Sequence, residues 1–189
     1  AAGNALEVIE SVEVLRGGGP ADVRELSLEL SAVMIRLAGS ASTHDEARER
    51  AVRTLDSGAA LERFGRMVEA QGGDRRAAED CRLERAPEVV AVRAATSGTL
   101  AAVDTFALGD LVVAIGGGRR AKEDSIDPRV GLQVHRRIGD AVREGDLLAE
   151  LHLAGPNTAA QERARRAFEI TQREVDPSLL GIERVETFD

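Results

Sequence analysis

The chain has 189 residues, enough for one large or two small domains with a sizeable core. Its formal net charge of −8 argues against a nucleic-acid or anionic-membrane partner, and no apolar run reaches the roughly 18 residues of a membrane span. No signal peptide is visible. Cys81, the single cysteine, has no partner for an internal disulfide, so a reducing cytoplasm is the simplest fit.

Residues 4–80 read as helices. Asn4 is an expected N-cap, and Leu6, Ile9 and Val12 to Val14 follow it before Gly17-Gly18-Gly19 ends the helix. Pro20 suits the first turn of a second helix, where its missing N–H costs nothing. Val23, Leu26, Leu30, Val33 and Leu37 lay one apolar stripe along that helix. Thr43-His44-Asp45-Glu46 reads as a capping box opening a third helix, which runs to Asp56-Ser57-Gly58. Leu61, Phe64 and Val68 mark a fourth, ended by Gly72-Gly73, and Asp74 caps a short fifth. Such a helical layer normally covers something, and 1–80 contains no strands for it to cover.

The stretch 81–88 has no clean period, and Pro87 disfavours helix before it, so a linker is expected there. Val89–Val92 and Thr99–Val103 read as strands with Gly98 as a turn between them, and Thr105 as the cap of a helix that follows. Leu108, Leu111, Val112 and Ile115 have helical spacing, and Gly116-Gly117-Gly118 stops that helix. Arg119-Arg120, a short charged insert and Asp127-Pro128 come next. Leu132, Val134 and Ile138 give a further strand. Two Gly-Asp turns, Gly139-Asp140 and Gly145-Asp146, flank a short strand and precede another. An Arg/Glu-rich helix is expected over 158–173, with Ala160, Ala164, Ala167 and Phe168 inward. Pro177 breaks it, and Leu179–Val185 reads as a last strand.

Chemical motifs are scarce. No paired-cysteine or His-Glu-x-x-His pattern suggests zinc, and there is no nucleophile elbow or Walker loop. His44, His135 and His152 fall on unlike elements and read as surface or structural residues. Cys81 reads as a small buried or linker residue, with no base placed to activate it. Gly116–Arg120 could cradle a phosphate through amides and arginines, but it follows a helix C-terminus, whose dipole repels anions.

The order of the residues carries more than their spacing. Gly3-Asn4-Ala5-Leu6-Glu7-Val8, Gly17-Gly18-Gly19-Pro20-Ala21-Asp22, Phe64 to Gly73 and Ala107 to Gly131 occur in this sequence. They resemble, in the same order, four segments of the pyrimidine-nucleoside phosphorylases, a family that includes thymidine phosphorylase. The last 37 residues match loosely. The signature residues carried over are Gly116, Gly117, Gly118, Arg119, Arg120, Asp127 and Gly131, with a structural role expected.

The resemblance implies an enzyme that cleaves a pyrimidine nucleoside with inorganic phosphate, as a cytoplasmic homodimer with neither nucleic-acid nor membrane partner. It implies no organic cofactor. It does imply a monovalent or calcium-like cation, with Glu10 at the position of one ligand and Ala1 where a main-chain carbonyl ligand sits. The family's Lys-x-Ser-Thr-Gly-Gly phosphate loop and its base clamp have no counterpart here, where Lys122 is the sole lysine. The expectation is therefore the C-terminal part of an α/β enzyme, with no catalytic or substrate-binding residue and no activity of its own. Residues 1–80 would be a helical part of the central α/β domain, 81–88 a linker, and 89–189 an α+β domain. That last domain would hold a small mixed or antiparallel sheet, like a barrel-sandwich.

Two other readings stand beside this one. The Gly-Asp-x-Val-x-x-Gly-Asp-x-Leu pattern of 139–148 resembles biotinyl and lipoyl carrier domains, but Lys122 lacks their modification context. A purely structural or interaction module is the second.

Overall fold

The computed structural model describes residues 1–175, apart from the side chains of Ala77 and Ala78. The expectations for Pro177 and Leu179–Val185 lie outside the described residues. The chain divides into two compact units: Asn4–Arg85, and Ala1–Gly3 together with the residues from Ala86 on.

The first unit is helical. Helix α1 (Asn4–Leu15) buries Ala5, Leu6, Ile9, Val12 and Val14. Pro20 stands just before α2 (Ala21–Leu37) as its extended N-cap, at φ −68°, rather than inside the first turn. Thr43 caps α3 (His44–Asp56) by accepting from the Glu46 amide at 3.2 Å. The return bond of the box is displaced: the Glu46 carboxylate accepts from Ser42 N–H at 3.0 Å. Helices α4 (Ala59–Ala70) and α5 (Arg75–Glu79) follow. Gly65 of α4 lies against the Glu79 side chain, which Arg75 holds at 2.7 Å. Asp74 accepts from the Arg76 amide at 2.8 Å, as a cap for α5 should.

Helix α2 corrects the expectation of its apolar stripe. The residues it buries are Leu28 and Ala32, while Leu26, Leu30, Val33, Met34 and Leu37 are exposed. The reason lies in α3, against which α2 packs. Leu28 joins Ala51 and Leu55 in one cluster, with Ile35 packed on it. Ion pairs fix the same side: Arg48 to Glu29 at 2.8 Å, Arg24 to Asp56 at 2.9 Å, and Arg48 to Glu25. The Arg48 hydrogen bond holds the Glu29 carboxyl below the usual carboxylate range. Of the stripe residues expected inward, Leu26, Leu30, Val33 and Leu37 sit on the opposite face, while Val23 is half-buried and lines one cavity with Leu28 and Ile35.

The second unit holds two three-stranded sheets, antiparallel throughout. Strands β1 (Glu88–Arg93), β2 (Gly98–Val103) and β3 (Gly131–Val134) come first, then β4 (Ala141–Val142), β5 (Leu147–Leu153) and β6 (Phe168–Thr171). The strand orders are β1-β5-β3 and β4-β2-β6. Leu132 faces Leu151, Val92 faces Ala149, and Leu100 faces Ile170. Side chains from both sheets, including Val92, Leu100, Leu132, Leu148 and Leu151, form one core. Helices α6 (Thr105–Val112) and α7 (Thr158–Arg166) add Leu108, Leu111, Ala160 and Ala164 to it. This is the sandwich expected, with two small sheets in place of one.

Several local expectations change. Strands β1 and β2 enter different sheets, so Gly98 is not a hairpin turn but the first residue of β2. Asp104, not Thr105, caps α6, accepting from Ala107 N–H at 2.9 Å. Ile138 lies beyond β3. Helix α7 stops at Arg166, and Phe168 begins a strand paired with β2. The alternation Phe-Glu-Ile-Thr suits a strand, and the β2 edge offers the backbone partners. Before β1, Ala2 exchanges both backbone bonds with Leu132, at 2.8 and 2.7 Å.

The Gly-Asp turns form as read and repeat one another. In each, the aspartate closes the turn on the amide three residues back, Asp140 on Arg137 at 2.8 Å and Asp146 on Arg143 at 2.9 Å. Each turn also clasps one residue of the 94–100 stretch. Gly139 N–H donates to Leu100 O, which in turn has its own N–H on Asp140 O; Gly145 and Asp146 treat Ala94 in the same way. Asp140→Ala and Asp146→Ala should therefore destabilise this unit about equally, by about 1–2 kcal/mol each. Urea titrations followed by circular dichroism check this, and a several-fold inequality would show that the turns are not equivalent.

Candidate functional site

The glycine-rich signature forms one closed loop. Helix α6 runs on through a wide π-type turn, Val113–Gly117, that ends at Gly116 with φ 102° and ψ 3°. A side chain rarely adopts that conformation, which is why glycine stands there. Gly117 lies against Val112, whose Cγ1 would be 2.7 Å from an added Cβ. The chain returns at Asp127, whose N–H donates to Gly116 O at 2.9 Å. Twelve residues thus leave and rejoin at one hydrogen bond, the geometry of a compact Ω-loop.

Two aspartates shape the loop. Asp124 accepts from the amides of Arg120 and Ala121 at 3.0 and 2.9 Å, and these bonds lower its carboxyl below the usual range. The Asp127 carboxylate takes the Arg129 guanidinium as a two-toothed fork, both bonds 2.8 Å, and the Arg129 amide at 3.0 Å. The Arg129 side chain above all, and then its amide, bring the Asp127 pKa from 3.8 to about 2. Arg119 and Arg120 are exposed. Arg120 lies 3.8 Å from Asp110, which Arg163 of α7 also holds, at 2.8 Å. Gly131 begins β3 opposite His152. The sequence reading missed Asp124 and Arg129. The only signal was an Asp two residues before an Arg across Pro128, too common a pattern to single out.

Beside the loop is a cleft of about 310 Å³ lined by Gly116, Gly118, Arg120, Asp124 and Ser125. It does not suit an anion: it lies at the negative end of the α6 dipole, and Asp124 is ionised on its wall. A second, apolar cavity of about 720 Å³ lies among α1 to α4, lined by Val14, Val23, Leu28, Met34, Ile35 and Leu55. Its polar lining is Ser11, Ser27, Ser31, Thr54 and Arg63.

The remaining candidates stay apart. Glu10 is half-buried on α1, a single carboxylate where a hard cation takes six or more oxygens. Among the described residues, no group of three or more His, Cys, Asp or Glu is arranged to hold a metal ion. His44 pairs with Glu29 at 3.0 Å and His135 with Glu150 at 2.8 Å, while His152 is buried in β5. Burial pushes the Cys81 thiol up, away from the reactive thiolate. Lys122 sits in the loop between α6 and β3, not at a hairpin tip as in a carrier domain. No helix among the described residues is long and apolar enough to cross a membrane.

The Asp127–Arg129 fork makes a pH prediction. A carboxyl lowered in the folded state stabilises above its unfolded pKa, and that contribution is lost as pH falls from 3.8 through about 2. Asp127→Asn should cost on the order of 1 kcal/mol at pH 7, after allowance for solvent screening. The gap to the parent chain should close by pH 2. A gap unchanged between pH 7 and pH 2.5 would place the effect elsewhere.

Comparison with known proteins gives consistent matches. Residues 99–171 match the family model described as the pyrimidine nucleoside phosphorylase C-terminal domain. That range runs from β2 through β6 and includes the whole loop. A pyrimidine-nucleoside phosphorylase of Staphylococcus aureus (strain bovine RF122 / ET3-1) is 40% identical over 153 residues, covering 80% of this chain and 35% of the relative. The protein of the same name from strain USA300 is 39% identical over the same length. The chain thus spans about a third of the length of the curated relatives it matches.

Proposed function

We infer, from a chain that belongs with the C-terminal part of the pyrimidine-nucleoside phosphorylases, that it serves as the non-catalytic portion of such an enzyme. The reaction is phosphorolysis: a phosphate oxygen bonds to C1′ of the pentose while the C1′–N1 bond breaks and its electron pair leaves on the pyrimidine. The products are the free base and a pentose 1-phosphate. Inorganic phosphate is the co-substrate, the assembled enzyme is a cytoplasmic homodimer, and Glu10 contributes at most one carboxylate to any cation it holds.

The match of 99–171 to that C-terminal domain is the observation that carries this reading. The loop chemistry supports a scaffolding role. Asp127 and Arg129 are spent on each other, Asp124 on backbone amides, and the cleft beside them disfavours phosphate.

The test has two arms. Incubated with thymidine or uridine in phosphate, the 189-residue chain should release no base. Fused behind the N-terminal two-thirds of the Staphylococcus aureus relative, it should support phosphate-dependent base release. Turnover by the chain alone that survives repurification would overturn the non-catalytic assignment. A folded fusion with no activity would overturn the family function.

A further inference from the structure

Strand β3 is the edge strand of its sheet, in the order β1-β5-β3. Antiparallel pairing turns the backbone groups of alternate residues toward opposite sides. His135 faces β5, its N–H donating to Leu148 O at 2.8 Å, and Gln133 and Gly131 follow by alternation. Leu132 and Val134 therefore turn their N–H and C=O toward the outer edge. At Leu132 that edge is taken. Ala2 donates to Leu132 O at 2.8 Å and accepts from Leu132 N–H at 2.7 Å, as an isolated antiparallel bridge. Val134 is where the next pair of such a ladder forms.

The bridge can grow in one direction only. Past Ala2, Gly3 sits at φ +132°, where an added Cβ would be 2.7 Å from Val130 O, and α1 begins at Asn4. Upstream the register is set. Counting antiparallel from Ala2 and Leu132, Ala1 stands opposite Gln133, and the residue before Ala1 stands opposite Val134. Side chains alternate along a strand, so that residue shares the face of Ala2, which packs on the sheet core. Val134 lies on that face and is 37% exposed. An apolar side chain opposite it would cover it.

We propose that the edge of β3 beyond Ala2 is a strand-addition site, filled in the longer enzyme by the segment immediately before Ala1, with an apolar residue opposite Val134. The proposal rests on the reading of this chain as the C-terminal portion of such an enzyme. A segment joined covalently at Ala1 enters a register that Ala2 has already fixed, without the entropy cost that a separate peptide bears. It widens the sheet by one strand and ties the preceding chain to it through backbone bonds, which read shape more than sequence.

Two readouts test this, and neither needs turnover, so its failure and that of the proposed function are told apart. In the fusion to the Staphylococcus aureus N-terminal two-thirds, the Val134 amide should exchange at least about tenfold more slowly than in the 189-residue chain. The Gln133 amide, bonded to β5 in both, should slow much less. The second readout is a disulfide in the 189-residue chain extended by the relative's preceding segment, in a Cys81→Ser background. Val134→Cys with cysteine at the residue before Ala1 should crosslink on oxidation, because directly opposed residues lie within disulfide reach. Gln133→Cys with the same partner should not, since its side chain is on the other face. Equal slowing at Val134 and Gln133, unchanged exchange at Val134, or crosslinking that favours Gln133→Cys would each overturn the proposal.

Discussion

Gly98→Ala should destabilise the sheet unit by about 2–5 kcal/mol, the largest loss expected from adding a single methyl group to this chain. Gly98 opens β2 at φ +157°, between Val142 of β4 and the end of β6. An added Cβ would overlap the Thr171 carbonyl oxygen and lie 3.1 Å from its carbon and 2.9 Å from Ile170 Cγ2. The obstacle is backbone, and that backbone is held by the β2–β6 pairing at Thr99 and Thr171. Relief therefore means breaking the ladder. Gly145→Ala is the control. It too has positive φ, +87°, but nothing lies within 4 Å of its added Cβ, so only the backbone cost of about 1–2 kcal/mol applies. The chain has no Trp or Tyr, so thermal or urea unfolding is best followed by circular dichroism. Equal midpoints for the two variants would refute the packing described at β2 and β6.

Amide exchange should separate α2 from β5 by at least a hundredfold. Strand β5 buries five of its seven residues: Leu148, Ala149, Leu151, His152 and Leu153. It is also paired on both sides. Its amides open only when the core does. Helix α2 buries two residues of 17. Each large apolar side chain left in water forfeits about 1.5–3 kcal/mol of burial, and Leu26, Leu30, Val33, Met34 and Leu37 are exposed on this helix. A hundredfold difference in exchange corresponds to about 2.8 kcal/mol, within what those side chains withhold. Similar protection along α2 and β5 would show that the helical unit is held by contacts beyond those described.

What the sequence revealed is local. Thr43 and Glu46 are three residues apart, and an N-cap bond needs nothing beyond that turn. The two Gly-Asp turns close on amides three residues back, so their chemistry lies within four consecutive letters. The order of the four signature segments pointed to the same family as the match over 99–171. At the candidate site, Gly116 and Asp127 were legible as a signature, but their hydrogen bond and the Arg129 fork were not. Closure of that loop depends on where α6 ends and β3 begins.

Sequence alone, then, determined the helical and strand-rich character of the two halves, the Thr43 cap, the two Gly-Asp turns and the family resemblance, because each rests on short-range hydrogen bonding, backbone preference or residue order. Tertiary structure decided the rest. It put β1 and β2 in different sheets, because each found its partners further along the chain. It ended the expected 158–173 helix at Arg166, because β2 had an open edge for Phe168–Thr171. It chose which face of α2 to bury. Helical periodicity identifies an apolar face without saying what meets it, and burial favours whichever face meets a neighbour. Here α3 brings Ala51 and Leu55 to the side of Leu28, and the stripe that reads more strongly in the sequence is left facing outward.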